Sequence, residues 1–383
     1  MTIVIRLVVT YQFSKDLKMI KKIFAVSLAT SLALSPIAGN ACTSFLLKGN
    51  DGGYVYGRTM EFGLPLKSQL IVIPRNYQAL GVGVDSKPGS GLNWKTKYAA
   101  VGMNGLGLPV LVDGMNEKGL IGGLLNAPNT AEYQKVSPAE SANSIASVQI
   151  LMYALTNFAT VNEVKAGFEK IKVNRSIIPA FHNQSAPVRM TLHDAQGKSI
   201  VIEYLKGDLV ITDNPVTVMT NDPAFREQLN TIGNYANLTP VEKNPIVING
   251  ATYSPPSSGS GLHGLPGDYL SPSRFIRALF LSKSAPTNLS TDQQTHTAWH
   301  ILGSFDIPPG AISLPATNAY GGGSGGVEIT EWTVVADSKN MKYYVKMFET
   351  TNVQAFDMKK IDFNAKEVKY FDLNKPQSYI SIN

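Results

Sequence analysis

Among 383 residues there is a single cysteine, Cys42. One thiol excludes an internal disulfide, so stability must come from packing, and the leftover thiol is either buried and inert or chemically useful. Long apolar runs are also missing. The most apolar stretch, Ile23 to Leu34, is about a dozen residues, short of the roughly 20 that a bilayer requires, so no integral membrane span is expected. No Lys/Arg stripe or basic run with interleaved aromatics is present, which argues against a nucleic acid partner.

Cofactor and metal signatures are lacking as well. His296 and His300 stand four apart, but Thr297 follows the first histidine where a zincin has glutamate, and no third ligand is evident. The glycine-rich AYGGGSGG (Ala319 to Gly326) lacks the Lys-Ser/Thr of a phosphate loop. No papain-like Gly-Ser-Cys-Trp context surrounds Cys42, although His182 or His193 could in principle supply a Cys-His pair. The reading is of a protein that needs no cofactor and no metal.

What is present begins at the N-terminus. Met19-Ile20-Lys21-Lys22 is a short basic start, Ile23 to Leu34 an apolar core, and Gly39-Asn40-Ala41 places small residues at −3 and −1 before Cys42. Residues 1–41 therefore read as an N-terminal extension, with Met19 the more plausible start, followed by a signal segment cleaved before Cys42. The expected location is periplasmic or secreted. Of 34 basic and 28 acidic residues, five and one lie in this segment, leaving 29 against 27. The remaining 342 residues, 42–383, show no composition break and are read as one large domain.

Cleavage after Ala41 gives Cys42 a free α-amine beside its own thiol. Free α-amines titrate near about 7.7–8.0 and free thiols near about 8.5, close enough for the amine to relay the thiol proton. Two other readings stay open at this point. A lipoprotein cysteine would be acylated, although Gly39-Asn40-Ala41 departs from the Leu-Ala/Ser-Gly/Ala pattern. A buried core cysteine is the third.

The strand-like runs 42–48 and 54–60 flank the turn-rich Gly49-Asn50-Asp51-Gly52-Gly53. If Lys48 pairs with Tyr54, Cys42 lies opposite Met60 and Ser44 opposite Arg58, so Arg58 shares a sheet face with the thiol. An arginine so placed favours a thiolate.

Further on, Ser137-Pro138-Ala139-Glu140 reads as a capping box opening a helix through Ile145, Val148, Ile150, Leu151 and Leu155, and Thr160 to Glu163 opens a second. PVRMTLHD, KSIVIEYLKG and DLVITD read as antiparallel strands, helices follow Ser271-Pro272 and Ser290, and strands 328–336 and 341–348 close the chain. The class is α+β with a mainly antiparallel sheet.

Five separated segments resemble the choloylglycine hydrolase family (bile salt hydrolases and penicillin V acylases) of the Ntn-hydrolase superfamily. They are CTSFLLKGNDGGYVYGRTMEF from Cys42, DGMNEKGLIGGLLNAP from Asp113, DNPVTVMTNDPAF from Asp213, LPGDYLSPSRFIRA from Leu265 and TEWTVVADSKNMKYYVKMFE from Thr330. The resemblance implies a four-layer αββα sandwich with Cys42 as nucleophile and Arg58 and Arg274 as active-site arginines. It also implies Asn126 (through its backbone N–H) and Asn221 (through its side-chain amide) as oxyanion donors. Glu61 stands where many members have an aspartate that holds the N-terminal amine. Met60 and Phe62, beside the hairpin, are candidates for the acyl-pocket wall, with core packing the equal alternative. The implied partner is a small-molecule N-acyl amide: penicillin V, an N-acyl homoserine lactone or a conjugated bile acid. Many relatives form homotetramers. A reading from another class is a lipid-anchored, non-catalytic binding protein on the same fold.

Overall fold

The computed structural model describes residues 41–181, 183–313 and 326–383. Residues 1–40 of the segment read as an extension and signal, His182 and most of the AYGGGSGG stretch lie outside the described residues.

In chain order the principal strands are β1 (Cys42–Lys48), β2 (Tyr54–Phe62), β3 (Leu70–Ile73), β4 (Ala100–Met103), β5 (Asp113–Asn116), β6 (Ile121–Asn126), β7 (Val188–His193), β8 (Ser199–Leu205), β9 (Asp208–Asp213), β10 (Val218–Met219), β11 (Val327–Asp337), β12 (Lys342–Met347), β13 (Gln354–Asp357) and β14 (Lys369–Phe371). The helices are α1 (Ile150–Asn157), α2 (Val161–Phe168), α3 (Phe225–Thr231), α4 (Ser271–Lys283) and α5 (Thr291–Gly303). One sheet runs β10-β1-β2-β11-β12-β13 and the other β9-β8-β7-β6-β5-β4-β3-β14, with antiparallel neighbours throughout both.

Period-two alternation sets the layers. On the second sheet Ile71, Ile73, Leu124, Met190, Leu192, Ile200 and Ile202 join α1 and α2 in one core, while Val72, Val101, Met115, Ile121, Leu125 and Val201 face the first sheet. Helices α4 and α5 cover the outer face of the first sheet through Phe275, Leu279, Ala298 and Leu302. The result is helix, sheet, sheet, helix, the architecture the resemblance implied.

The β1–β2 hairpin has the predicted register: Lys48 opposite Tyr54, Ser44 opposite Arg58, Cys42 opposite Met60. The caps at Thr160 and Ser290 form, each side chain accepting from the backbone N–H three residues on, and the carboxylate of Glu140 accepts from Ser137 N at 3.0 Å. That last cap does not open the long helix expected. Pro138–Asn143 is a 3₁₀ turn, Ser144–Ala146 a short strand parallel to Lys172–Asn174, Ser147–Gln149 a second 3₁₀ turn, and only Ile150–Asn157 is α-helical. Asn143 and Ser144 are weak helix formers, and the Ser144 hydroxyl accepts from Asn174 Nδ2 at 2.8 Å, so tertiary pairing overrides the local apolar period.

Candidate active site

Strand alternation divides the residues around Cys42 between the two faces of the first sheet. Cys42, Arg58 and Met60 face the second sheet, and Thr43 and Glu61 point to the helical side. Cys42 is 1% exposed, with Sγ 3.7 Å from Met60 Sδ and 3.8 Å from Arg58 Nη2. The predicted hairpin geometry thus brings Arg58 onto the thiol.

Arg58 is itself fixed from the second sheet. Its Nη1 donates to Val112 O at 2.6 Å and to Asp113 Oδ2 at 3.1 Å, and its Nη2 donates to Leu124 O. Asp113 also accepts from Tyr56 Oη at 3.1 Å and Tyr343 Oη at 2.6 Å. Both charges are fully buried, so each depends on the other. Burial raises the Asp113 carboxyl, and Arg58 with the two tyrosine hydroxyls opposes that rise. A Cβ on Gly123 would lie 2.6 Å from Arg58 Nη1, so glycine is what lets the guanidinium lie against β6. Asp113 heads one of the quoted segments, yet no local pattern marks it as the partner of Arg58.

The other predicted residues gather around the Cys42 backbone. Asn221 Oδ1 accepts from Cys42 N at 2.5 Å and from Arg274 Nη2 at 2.9 Å, while its Nδ2 donates to Asn126 O at 2.8 Å. Arg274 Nη1 donates to Cys42 O at 2.5 Å and Thr43 Oγ1 at 2.8 Å, so this arginine holds the backbone and makes no hydrogen bond to the thiol. Asn126 lines the cavity at the thiol, and its buried side-chain Nδ2 has no partner. The Asn126 side-chain Nδ2 is thus an unpartnered donor on the wall of the cavity that Cys42 lines, and Asn221 Nδ2 keeps a second hydrogen beyond the one it gives to Asn126 O.

Glu61 makes no hydrogen bond to the Cys42 nitrogen, which here still carries Ala41. Its Oε1 accepts from Thr330 Oγ1 at 3.3 Å, its Oε2 makes no hydrogen bond of normal geometry, and Cys42 N bonds to Asn221 instead. The physical reason is that Cys42 N here is a peptide nitrogen with one hydrogen, already committed. Burial pushes the Glu61 carboxyl up to about 8, with Arg274 opposing. Two acids escaped sequence reading. Glu328, on β11, accepts from Ala41 N at 2.5 Å. Glu203 forms a buried 2.6 Å pair with Arg189, whose guanidinium also donates to the carbonyls of Thr220, Asn221 and Pro223. Alternation would have misplaced Glu328, because the apolar Val327 and Ile329 take the opposite phase, yet Glu328 and Thr330 are the buried residues.

Met60 and Phe62 both line the cavity at the thiol, which has a volume of about 80 Å³ and apolar walls. A second cavity of about 360 Å³ shares Leu108, Val110, Val148 and Ile178 with it. No group of three or more His, Cys, Asp or Glu among the described residues is placed to hold a metal, and His296 and His300 are exposed on α5.

Comparison with known proteins places the chain. Residues 42–371 match the model of the linear amide C–N hydrolases, choloylglycine hydrolase family. The chain is 30% identical over 348 residues to a bile salt hydrolase/transferase of Clostridium perfringens, covering 89% of this chain and 100% of that one. It is 27% identical over 393 residues to a penicillin V acylase of Pectobacterium atrosepticum, covering 96% and 94%. Among solved structures, a variant conjugated bile acid hydrolase from Clostridium perfringens superposes with a TM-score of 0.78 at 28% identity, over 89% of this chain and 100% of that one. The penicillin V acylase of Agrobacterium tumefaciens gives 0.70 at 25%, over 87% and 92%.

Proposed function

Because the chain belongs to the choloylglycine hydrolase family of linear amide C–N hydrolases, we propose that it is an exported amidase whose mature form begins at Cys42 and that it works through a thioester. The observation that carries this reading is the placement of one buried thiol against Arg58, with an unpartnered amide donor, Asn126 Nδ2, on the wall of the same apolar cavity.

In this mechanism the α-amine of Cys42 takes the thiol proton and the sulfur attacks the amide carbonyl. The S–C bond forms as the carbonyl becomes an oxyanion, stabilised by Asn126 Nδ2 and the field of Arg58. The C–N bond then breaks, and the leaving nitrogen takes the proton held by the α-ammonium. Water, deprotonated by the same amine, attacks the thioester; the C–S bond breaks, the carboxylic acid leaves, and the sulfur takes back the proton held by the α-ammonium. Arg274 and Asn221 hold the Cys42 backbone so that thiol and amine keep their relative position.

The apolar walls suit the acyl half. The adjoining cavity of about 360 Å³, which shares Leu108, Val110, Val148 and Ile178 with that at the thiol, gives a longer acyl group somewhere to extend. Release of free amine from penicillin V, glycocholate and an N-acyl homoserine lactone, each with protein confirmed by mass to start at Cys42, tests the reading. Turnover abolished by Cys42→Ser supports it; absence of turnover on all three sinks these substrate classes. The lipid-anchored alternative predicts a blocked, acylated Cys42 amine and no loss of function in Cys42→Ser, which the same mass and activity measurements read.

A further inference from the structure

We propose that Glu328 is a positioning carboxylate for the Cys42 α-ammonium, filling together with Glu61 a buried site that is one positive charge short until the chain is cut before Cys42. This rests on the reading that the mature chain begins there.

The charges on the helical face of the first sheet do not balance. Glu61 on β2 and Glu328 on β11 are both essentially inaccessible, and among the described residues the cation that acts on them is Arg274 on α4, which also feels the Cys42 thiol; the next buried cation, Arg277, is matched by Asp268. On the opposite face, Arg58 is already matched by Asp113 and abuts the thiol. Glu61 and Thr330 are paired across β2 and β11, and Glu328 lies two residues along the same strand face. Glu61 Oε2 makes no hydrogen bond of normal geometry, and only the hydroxyls of Thr59 and Thr330 act on this carboxyl as donors. A buried carboxylate must either find a cation or hold a proton, and burial raises both of these groups.

Cleavage before Cys42 supplies the missing cation at the right place. Glu328 Oε1 is bonded to Ala41 N at 2.5 Å, and successive backbone nitrogens are separated by no more than about 3.8 Å. Loss of Ala41 takes away the group to which Glu328 is bonded and turns Cys42 N from a donor of one hydrogen into a donor of three. One of these can stay on Asn221 Oδ1; the others face the space Ala41 vacated, toward Glu328. A carboxylate there strengthens the hold of the amine on the proton it takes from the thiol and later gives to the leaving group.

The test compares wild type, Glu328→Gln and Glu328→Asp, each with its N-terminus read by intact mass. Two quantities are followed against pH: kcat/KM on an amide the wild type hydrolyses, and the rate of Cys42 alkylation by iodoacetamide. Removing the negative charge weakens proton binding at the amine, so E328Q should move the acid limb of both profiles down by about one pH unit. It should also lower kcat about tenfold or more while KM stays within about twofold; E328D should restore the limb. If E328Q lowers the melting temperature but leaves both profiles and kcat in place, Glu328 only ties down the strand and the proposal is overturned. Should E328Q not accumulate, E328D carries the test, and an acid limb displaced from that of the wild type likewise overturns the proposal. A wild-type mass showing a chain that does not begin at Cys42 defeats the underlying reading, and this inference with it.

Discussion

Asn221 Nδ2 donates to the backbone oxygen of Asn126 at 2.8 Å, joining two loops that are 95 residues apart in sequence. Through this bond the residue that holds the Cys42 backbone also fixes the strand end carrying the free Asn126 amide. The two asparagines should therefore fail differently. Asn126→Ala removes a buried donor that has no partner, so urea unfolding should show little change while kcat falls by about 10² to 10³. Asn221→Ala should cost both activity and about 1–3 kcal/mol of stability, because Asn126 O and Cys42 N lose their partner.

Asp113→Asn leaves Arg58 buried without a counter-charge. The expected loss is about 3–5 kcal/mol in the urea-derived unfolding free energy. Cys42 alkylation should also lose its wild-type rate in the molecules that remain folded, since Arg58 no longer has a fixed position beside the sulfur.

The Arg189–Glu203 pair sits under the Asn221 loop, and Glu203 also accepts from Phe225 N at 3.0 Å. Glu203→Gln should destabilise by about 3–5 kcal/mol, as an unpaired buried guanidinium results. The double variant Arg189→Met with Glu203→Leu should regain much of that stability but not the activity, because the carbonyls of Thr220 and Asn221 lose their anchor. A double-mutant cycle with kcat read beside stability separates the two effects.

Burial pushes His193 down to about 3 from 6.5. Between those values the unfolded chain binds a proton that the folded chain refuses, so this residue makes stability fall as pH drops from about 6.5 toward about 3. Its contribution is fully present above 6.5. His193→Gln, which keeps hydrogen-bonding capacity toward Ser199, should flatten the pH dependence of the urea midpoint across that window.

Leu108, Val110, Val148 and Ile178 form walls of both cavities. Val148→Phe should narrow the junction and raise KM for the longer members of a series of amides differing only in acyl length, with the shortest members least affected. An equal change across the series would show that the second cavity plays no part.

Much of this site was legible one residue at a time. The register that puts Arg58 on the face of Cys42 follows from two alternating runs and a turn, because a hairpin encodes its pairing locally. Met60 and Phe62 reached the cavity wall for the same reason. The broken helix after Ser137 was not legible, because the apolar period of 145–155 cannot show that Ser144–Ala146 has a strand partner at Lys172–Asn174.

The sequence by itself determined the hairpin, the antiparallel alternation, the lone thiol and the placing of Arg58 on its face; Asn126, Asn221 and Arg274 came only with the family resemblance. Only the tertiary structure decided which charges are neighbours: Asp113 with Arg58, Glu203 with Arg189, and Glu328 with the residue before Cys42. These contacts join strands and loops distant in the chain. Side-chain periodicity says which face a residue takes, but the pairing of buried charges depends on how the two sheets and the helices are stacked.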